Sequence, residues 1–374
     1  MALIPPHSPP AWSYAASILG AGALTTLLTP WALRFAERRG LLDHPGPTKV
    51  HPKAVPYLGG VAIVIAFAVM VAGMALVWRP AGADLGALGM VLGLGVGLAV
   101  LGLLDDLRDL AIWPRLLVET AAGVVVFLTG TRAGVAGVPW AGDMVLTVVW
   151  VVGITNAFNL LDNVDGLSAG VAALAALSLA GIGLVNDQYF VPLLALALAG
   201  GAAGFLRLNF HPARIHMGDA GSLFLGFVLA VLALRLRAHA AHQVSFAVPL
   251  VALAVPIFDT SLVVSTRAWH RLNPLRGQRD HISHRLVGLG WSVPRAVGAI
   301  YALSAACGGL AIGLTRVGRG IGFAAAGALT GLALLAGVGL ARVPVYHPAS
   351  AAGSDPPPSS TRPGAVARPH LDSP

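Results

Sequence analysis

The sequence has almost no cysteine and little charge. Cys307 is the single cysteine in 374 residues, which excludes a disulfide framework and a cysteine-ligated metal centre. Charged residues make up 11% of the chain and hydrophobic ones 56%, whereas a soluble domain carries about a quarter charged residues. The chain therefore reads as a polytopic membrane protein. The opening MALIPPHSPPA lacks the cationic start of a cleavable signal peptide, so the first apolar block is expected to be retained as a span. No internal repeat is visible, which argues against a cation-coupled transporter built from inverted repeats. The net charge of +8 does not imply nucleic acid. Lysine and arginine gather in the cytoplasmic loops of membrane proteins, and anionic substrates, phosphates above all, remain compatible with them.

What is present is a series of apolar blocks of spanning length. Hydropathy predicts an all-α protein of about eleven transmembrane helices, at roughly 12–35, 58–78, 85–104, 115–130, 143–161, 167–185, 189–207, 220–238, 245–266, 294–314 and 320–341. Loops after odd-numbered blocks hold fifteen of the 24 lysines and arginines and loops after even-numbered blocks hold six. The positive-inside rule then puts the N-terminus outside and the C-terminus in the cytoplasm. The expected organisation is a short extracytoplasmic segment 1–11, a transmembrane domain 12–342, and a tail 343–374 rich in Pro, Ser and Ala, with too little apolar surface to fold.

Polar islands interrupt the apolar blocks, and all fall on the side assigned to the cytoplasm. An ionisable residue in such a setting is expensive unless it faces water or protein. Asp105 and Asp106 end the third block with Asp109 one turn on. Adjacent carboxylates repel unless a cation lies between them, so this island suits magnesium or a solvated loop paired with Arg108. Asn156, Asn159, Asp162 and Asp165 recur every three residues and share one face if the helix persists, while Gly166 allows a break. Amides and carboxylates at that spacing suit a nucleobase, a sugar or a cation. Gly218-Asp219-Ala220-Gly221-Ser222 precedes the eighth block; Ser222 can cap the helix there, and its free N–H groups suit a phosphate. The segment 267–295 carries six arginines with His270, His281 and His284. It reads as an anion-binding lid with Arg285 forked onto phosphate; Asp280, His281 and His284 resemble zinc ligands, but the arginines would repel a dication. Lys49 and His51 lie in a proline-stiffened loop that suits either a phosphate or the membrane surface.

With these residues the chain resembles the polyprenyl-phosphate N-acetylhexosamine-1-phosphate transferases, glycosyltransferase family 4. The resemblance covers roughly 40–295 and rests on Lys49-Val50-His51, Asp105-Asp106-Leu107-Arg108-Asp109, Asn156-x-x-Asn159-x-x-Asp162, Asp165-Gly166-Leu167, Asn209, Met217-Gly218-Asp219-Ala220-Gly221-Ser222 and His281-x-x-His284-Arg285. The last motif is similar to the undecaprenyl-phosphate GlcNAc-1-phosphate transferase branch; the phospho-MurNAc-pentapeptide translocases, the alternative branch, have consecutive histidines there. The resemblance implies a multi-pass enzyme of a bacterial cytoplasmic membrane, with its active site facing the cytoplasm. Its partners would be a UDP-sugar donor and undecaprenyl phosphate, its cofactor Mg²⁺ (or Mn²⁺), and a homodimer is an allowed assembly. Asp105, Asp106 and Asp219 are implied as catalytic, with Asp219 and Asp105 on the metal. Asn156, Asn159, Asp162, Asp165, Asn209, His216, His281, His284 and Arg285 are implied on the nucleotide-sugar, with His216 standing where an aromatic ring stacks on uracil. Lys49 and His51 would take the lipid phosphate. Asn163 stands where the family commonly has glycine.

Overall fold

A computed structural model describes residues 9–44, 54–78, 82–236, 247–273 and 279–345. Among the described residues the regular structure is helical apart from a two-stranded antiparallel pairing, β1 (Leu42–Asp43) with β2 (Val55–Pro56), and a single bridge between Tyr57 and His216. The helices are α1 (Ala11–Arg39), α2 (Gly59–Trp78), α3 (Gly82–Arg108), α4 (Ile112–Leu128), α5 (Trp140–Leu161), α6 (Leu167–Val185), α7 (Phe190–Asn209) and α8 (Asp219–Arg235). They continue as α9 (Ala247–Ala252), α10 (Ala254–Trp269), α11 (Ile282–Gly288), α12 (Val293–Leu314) and α13 (Arg319–Ala341). Among the described residues eight helices are long and apolar enough to cross a membrane: α1, α2, α3, α5, α6, α7, α12 and α13. The chain is thus an all-α polytopic membrane protein.

The remaining expected blocks coincide with shorter helices. Those at 115–130 and 220–238 become α4 and α8, of 17 residues each. The block at 245–266 is not one helix but two, broken at Leu253 (φ −107°, ψ 22°). Pro256 follows three residues later and has no N–H to extend the ladder back to Ala252, so the helix parts there.

Polarity runs inside out relative to a water-soluble bundle. The face that α1 buries is small and partly polar, with Ser13, Ser17, Ala21, Thr25 and Thr29 at intervals of four, and it packs on α7. Its large apolar residues Leu19, Leu27 and Trp31 are 66–71% exposed. Small residues let helix backbones approach, and lipid tails accept the large ones. At the centre stands α8, with Phe224, Leu225, Phe227, Val228 and Leu229 fully buried. It packs mainly on α3 and α5. The α3 contact reaches the very start of α8, where a β-carbon at Gly102 would collide with the carbonyl of Asp219. Only glycine lets the two backbones meet at that point.

Candidate active site

The site forms where the last turn of α3 meets the first turn of α8. Both Asp105 and Asp106 belong to that last turn, since α3 continues to Arg108 rather than ending before them. Asp106 Oδ1 accepts the backbone N–H of Asp219 (3.0 Å) and Oδ2 that of Ala220 (3.4 Å). A carboxylate from α3 therefore caps α8, where the helix N-terminus is electropositive. Gly218 (φ +73°) makes the turn, and a β-carbon there would strike the Asp106 carboxylate. Two expectations change. The α8 N–H groups that seemed open to phosphate are taken by Asp106, and Ser222 caps nothing: its hydroxyl donates to the Gly218 carbonyl (3.3 Å).

Asp105 points elsewhere. Its Oδ1 accepts the Leu110 N–H (2.8 Å), and its Oδ2 lies 2.9 Å from Arg115 Nη1. The same Nη1 is 3.2 Å from Asp219 Oδ2, so two carboxylates from different helices converge on one cation. Arg115 Nη2 donates to Asn156 Oδ1 (3.4 Å), and Nε lies 3.6 Å from Glu119 Oε1. Asn156 Nδ2 in turn donates to Glu119 Oε2 and to the Val152 carbonyl. Asn159 Nδ2 donates to Asp219 Oδ1 (2.8 Å) and to Ser222 Oγ (3.0 Å). The two asparagines thus orient Arg115 and Asp219. No group of three or more His, Cys, Asp or Glu side chains is arranged for a metal among the described residues. Magnesium needs less: one or two carboxylates, its other positions going to water and substrate phosphates. Asp105 and Asp219 are two hard oxygen donors of that kind, converging in this structure on the Arg115 guanidinium, whose place between them a metal would have to take.

Beyond Asn159 the expected shared helical face dissolves. The helix α5 ends at Leu161, Asp162 is its C-cap, and Asp165 lies in the turn before Gly166 (φ +75°). Burial raises the Asp162 carboxyl to about 7, opposed by the charge of His216 and aided by Asp219 and Asp165. Burial works the same way on Asp165, but hydrogen bonds from His216, the Ala213 N–H and His211 outweigh it and hold that group at about 2. His211 Nδ1 lies 2.8 Å and the Ala213 N–H 3.0 Å from Asp165 Oδ2. His216 is set between two carboxylates, Nδ1 at 3.4 Å from Asp43 and Nε2 at 3.6 Å from Asp165, which ties the ring expected to stack on a base. Asn209 is buried; its amide oxygen accepts the Gly166 N–H (3.1 Å) and its nitrogen donates to the Ile215 carbonyl (3.0 Å). In this arrangement it clamps two loops together and does not present its amide to a ligand.

The segment after α10 corrects the lid reading for Arg285. Its guanidinium is fully buried, donating from Nε to the Asp280 carbonyl (2.8 Å), from Nη1 to the carbonyls of Leu340 (2.8 Å) and Val343 (3.4 Å) and from Nη2 to Thr266 Oγ1 (3.2 Å). It fastens α11 to α10 and α13 and offers no free fork to a phosphate. Asp280 pairs with the buried Arg267 through two 2.7 Å bonds and is no zinc ligand. His281 Nδ1 lies 2.7 Å from Asp259 Oδ2. The His284 ring is 6.0 Å from that of His281. Burial, with His281 and Arg279 close by, lowers it to about 4, so His284 is neutral at pH 7. Ser283 Oγ donates to Asn163 Oδ1 (2.7 Å) and joins this segment to the Asp162–Gly166 turn. Lys49 and His51 lie outside the described residues.

Sequence reasoning missed Arg115, Glu119 and Asp259. Glu119 was legible as a carboxylate inside an apolar block, four residues from an arginine, and a buried charge of that kind is costly unless it has a purpose.

Comparison with known proteins identifies the family. The family model described as glycosyl transferase family 4 matches residues 88–237, a span that includes Asp105, Asp106, Arg115, Asn159 and Asp219. A Bacillus subtilis (strain 168) relative, named a probable undecaprenyl-phosphate N-acetylglucosaminyl 1-phosphate transferase, is 34% identical over 285 residues, covering 74% of this chain and 77% of the relative. The decaprenyl-phosphate N-acetylglucosaminephosphotransferase of Mycolicibacterium smegmatis is 30% identical, covering 76% and 77%. A phospho-N-acetylmuramoyl-pentapeptide-transferase of Desulforudis audaxviator is 32% identical, covering 71% and 85%. The family match and relatives 30–34% identical over most of their length place the chain in glycosyltransferase family 4, among the polyprenyl-phosphate N-acetylhexosamine-1-phosphate transferases.

Proposed function

We propose that the protein transfers GlcNAc-1-phosphate from UDP-GlcNAc to a polyprenyl phosphate. An oxygen of the lipid phosphate attacks the sugar-bearing phosphorus. The bond to the UMP oxygen breaks, UMP departs with its electron pair, and a lipid-linked diphospho-sugar remains. The observation that carries this reading is the meeting of Asp105 and Asp219 on one cation at the end of an apolar helix bundle, beside the polar turn of Asp162 and Asp165. Lipid phosphate and water-soluble donor would meet at such a boundary.

Phosphoryl transfer asks chiefly for positioning and charge neutralisation. Asp105 and Asp219 would hold Mg²⁺, which when bound supplies positive charge against the phosphate oxygens and would take the place of Arg115 between them. Without it Arg115 keeps the two carboxylates from repelling each other. Asn159 fixes the Asp219 side chain and Asp106 fixes its backbone. A phosphate monoester loses its second proton near pH 6, so the attacking group is mostly a dianion at pH 7 and needs no general base. Both Asp106 oxygens are engaged by backbone N–H groups, and Asp106 acts through position. The finer topology belongs to the same proposal: eleven crossings, N-terminus outside, and the site on the cytoplasmic side of a bacterial plasma membrane.

The rival donor is UDP-MurNAc-pentapeptide. Ile282 and Ser283 separate the two histidines here, with Ser283 committed to Asn163, which favours the GlcNAc donor. The test is radiolabel transfer by purified protein, with polyprenyl phosphate and Mg²⁺ supplied and the two donors run side by side. Butanol-extractable label from UDP-GlcNAc, abolished by EDTA and by Asp219→Asn, is the expected result. Label from the pentapeptide donor alone would move the protein to the other branch.

A further inference from the structure

Asp259 is a carboxylate inside α10, only 1% exposed, and nothing above gives it a task. Its two oxygens grip different parts of one residue pair. Oδ1 accepts the Ile282 backbone N–H (2.7 Å), and Oδ2 lies 2.7 Å from His281 Nδ1. A carboxylate oxygen at that distance requires a hydrogen on Nδ1, and in the neutral ring Nε2 is then the acceptor. His281 is also the N-cap of α11, so the same carboxylate fixes both ring and backbone. Residue 280, just before it, is locked by the buried Arg267–Asp280 pair and by Arg285. His281 lies beside His284, and Ser283 reaches across to Asn163. The histidine pair therefore stands next to the Asp162–Asp165 turn on a support that resists movement.

We propose that Asp259 is a positioning residue for the transfer reaction: it sets the Nδ1–H tautomer of His281 and so presents Nε2 as an acceptor for a hydroxyl or amide N–H of the donor sugar. The proposal rests on the transferase reading above. A helix cap alone would not explain the arrangement. An uncharged amide caps nearly as well, and burying a carboxylate costs more than burying an amide. The second oxygen, aimed at the imidazole, gives the charge a purpose.

The test uses the full chain in detergent and the Asp259→Asn variant. Asparagine keeps an acceptor for the Ile282 N–H, so the melting temperature should stay within a few degrees of wild type. Its NH2 group would face Nδ1 and drive the hydrogen to Nε2. The expected result is a fall in kcat of about 100-fold, the scale of a misplaced positioning contact, with KM for UDP-GlcNAc changed less than about threefold. In ¹⁵N-histidine spectra, with the signal assigned by His281→Gln, the Nε2 resonance should move from the unprotonated to the protonated range. A variant with wild-type kcat would overturn the proposal, and so would a wild-type spectrum with Nε2 already protonated. Should the wild-type protein transfer no sugar, the transferase reading fails on its own. The spectra still decide the tautomer: no change between the wild-type and Asp259→Asn proteins would sink it.

Discussion

Asp106 offers the sharpest separation of position from chemistry. As the cap of α8 it accepts one good hydrogen bond, at 3.0 Å from the Asp219 N–H, and one long one, at 3.4 Å from Ala220. Asp106→Asn keeps an oxygen for the good bond, loses the long one and loses the charge facing the helix N-terminus. That charge is worth about 0.3–1 kcal/mol, so the expected destabilisation is about 1 kcal/mol. Asp106→Ala removes the whole cap and leaves a void beneath Gly218, for about 2 kcal/mol. Activity should follow the same order, because Asp219 is the first residue of α8 and moves when that turn frays. A displacement near 1 Å costs about 100-fold in rate. We therefore expect kcat to fall about tenfold in the Asn variant and about 100-fold in the Ala variant. Asp105→Asn caps no helix; it should lose more activity than Asp106→Asn with less loss of melting temperature. The assays are thermal melting in detergent and transfer of label from UDP-GlcNAc under saturating substrate. An Asp106→Asn protein that melts like wild type yet transfers nothing would refute the reasoning and return Asp106 to the chemical step.

Further outcomes follow from the same geometry. Asp165 titrates at about 2 in the folded protein against an ordinary value of 3.8, equivalent to about 2 kcal/mol before solvent screening reduces it. A depressed carboxyl contributes fully above its unfolded value and loses the contribution as pH falls toward its folded one. The stability gap between wild type and Asp165→Asn should therefore be full above about pH 4 and close near pH 2; a gap constant across that window would contradict it. His284 is neutral at pH 7, so His284→Gln should retain the wild-type shape of the pH–rate profile from about 5.5 to 8.5, whatever its height. A limb near pH 6.5 that disappears in the variant would contradict this. Arg285→Lys cannot reproduce four directed donations from a planar fork and should cost about 2–3 kcal/mol in melting measurements. The KM for UDP-GlcNAc of the folded fraction should stay within about threefold, whereas a phosphate-gripping arginine would raise it far more. Gly102→Ala removes no polar group but forces a β-carbon onto the Asp219 backbone, so activity should fall at least tenfold, on the scale of a misplaced reacting group. Gly97→Ala, on the same helix with open space around it, is the control and should be silent or slightly stabilising.

The helices were legible because a membrane protein states them in hydropathy, and the polar islands were legible because charge is expensive in that setting. Burial and direction were not legible. Arg285 and Asn209 carry suitable donors and acceptors for a ligand, and sequence alone counts those groups as available. The fold spends them on the carbonyls of Asp280, Leu340 and Ile215 and on the N–H of Gly166. Spacing misled in the same way at Asp162 and Asp165. Intervals of three residues describe one face only while the helix lasts, and α5 stops at Leu161. The break at Leu253, by contrast, could have been read from Pro256.

The residues that sequence reasoning passed over share a property. Arg115, Glu119 and Asp259 sit in or beside apolar helices, where each charge needs a partner from another part of the chain. Arg115 joins Asp105 of α3 to Asp219 of α8, and Asp259 of α10 holds His281 before α11. Neither contact follows from local pattern, because each depends on which helices the bundle brings together. In a chain so poor in charge, a buried ionisable residue without an evident local partner therefore predicts a contact between distant helices. Glu119 reaches Asn156 of α5 in addition to its local partner Arg115. Asp143, buried at the start of α5, is satisfied locally instead, its Oδ1 accepting the N–H of Gly134 in the preceding loop (2.8 Å). The two kinds of polar residue differ in what they leave open. Asp143 is closed off by backbone, whereas Asp219 keeps a side chain 31% exposed, and it is the open kind that can meet a substrate.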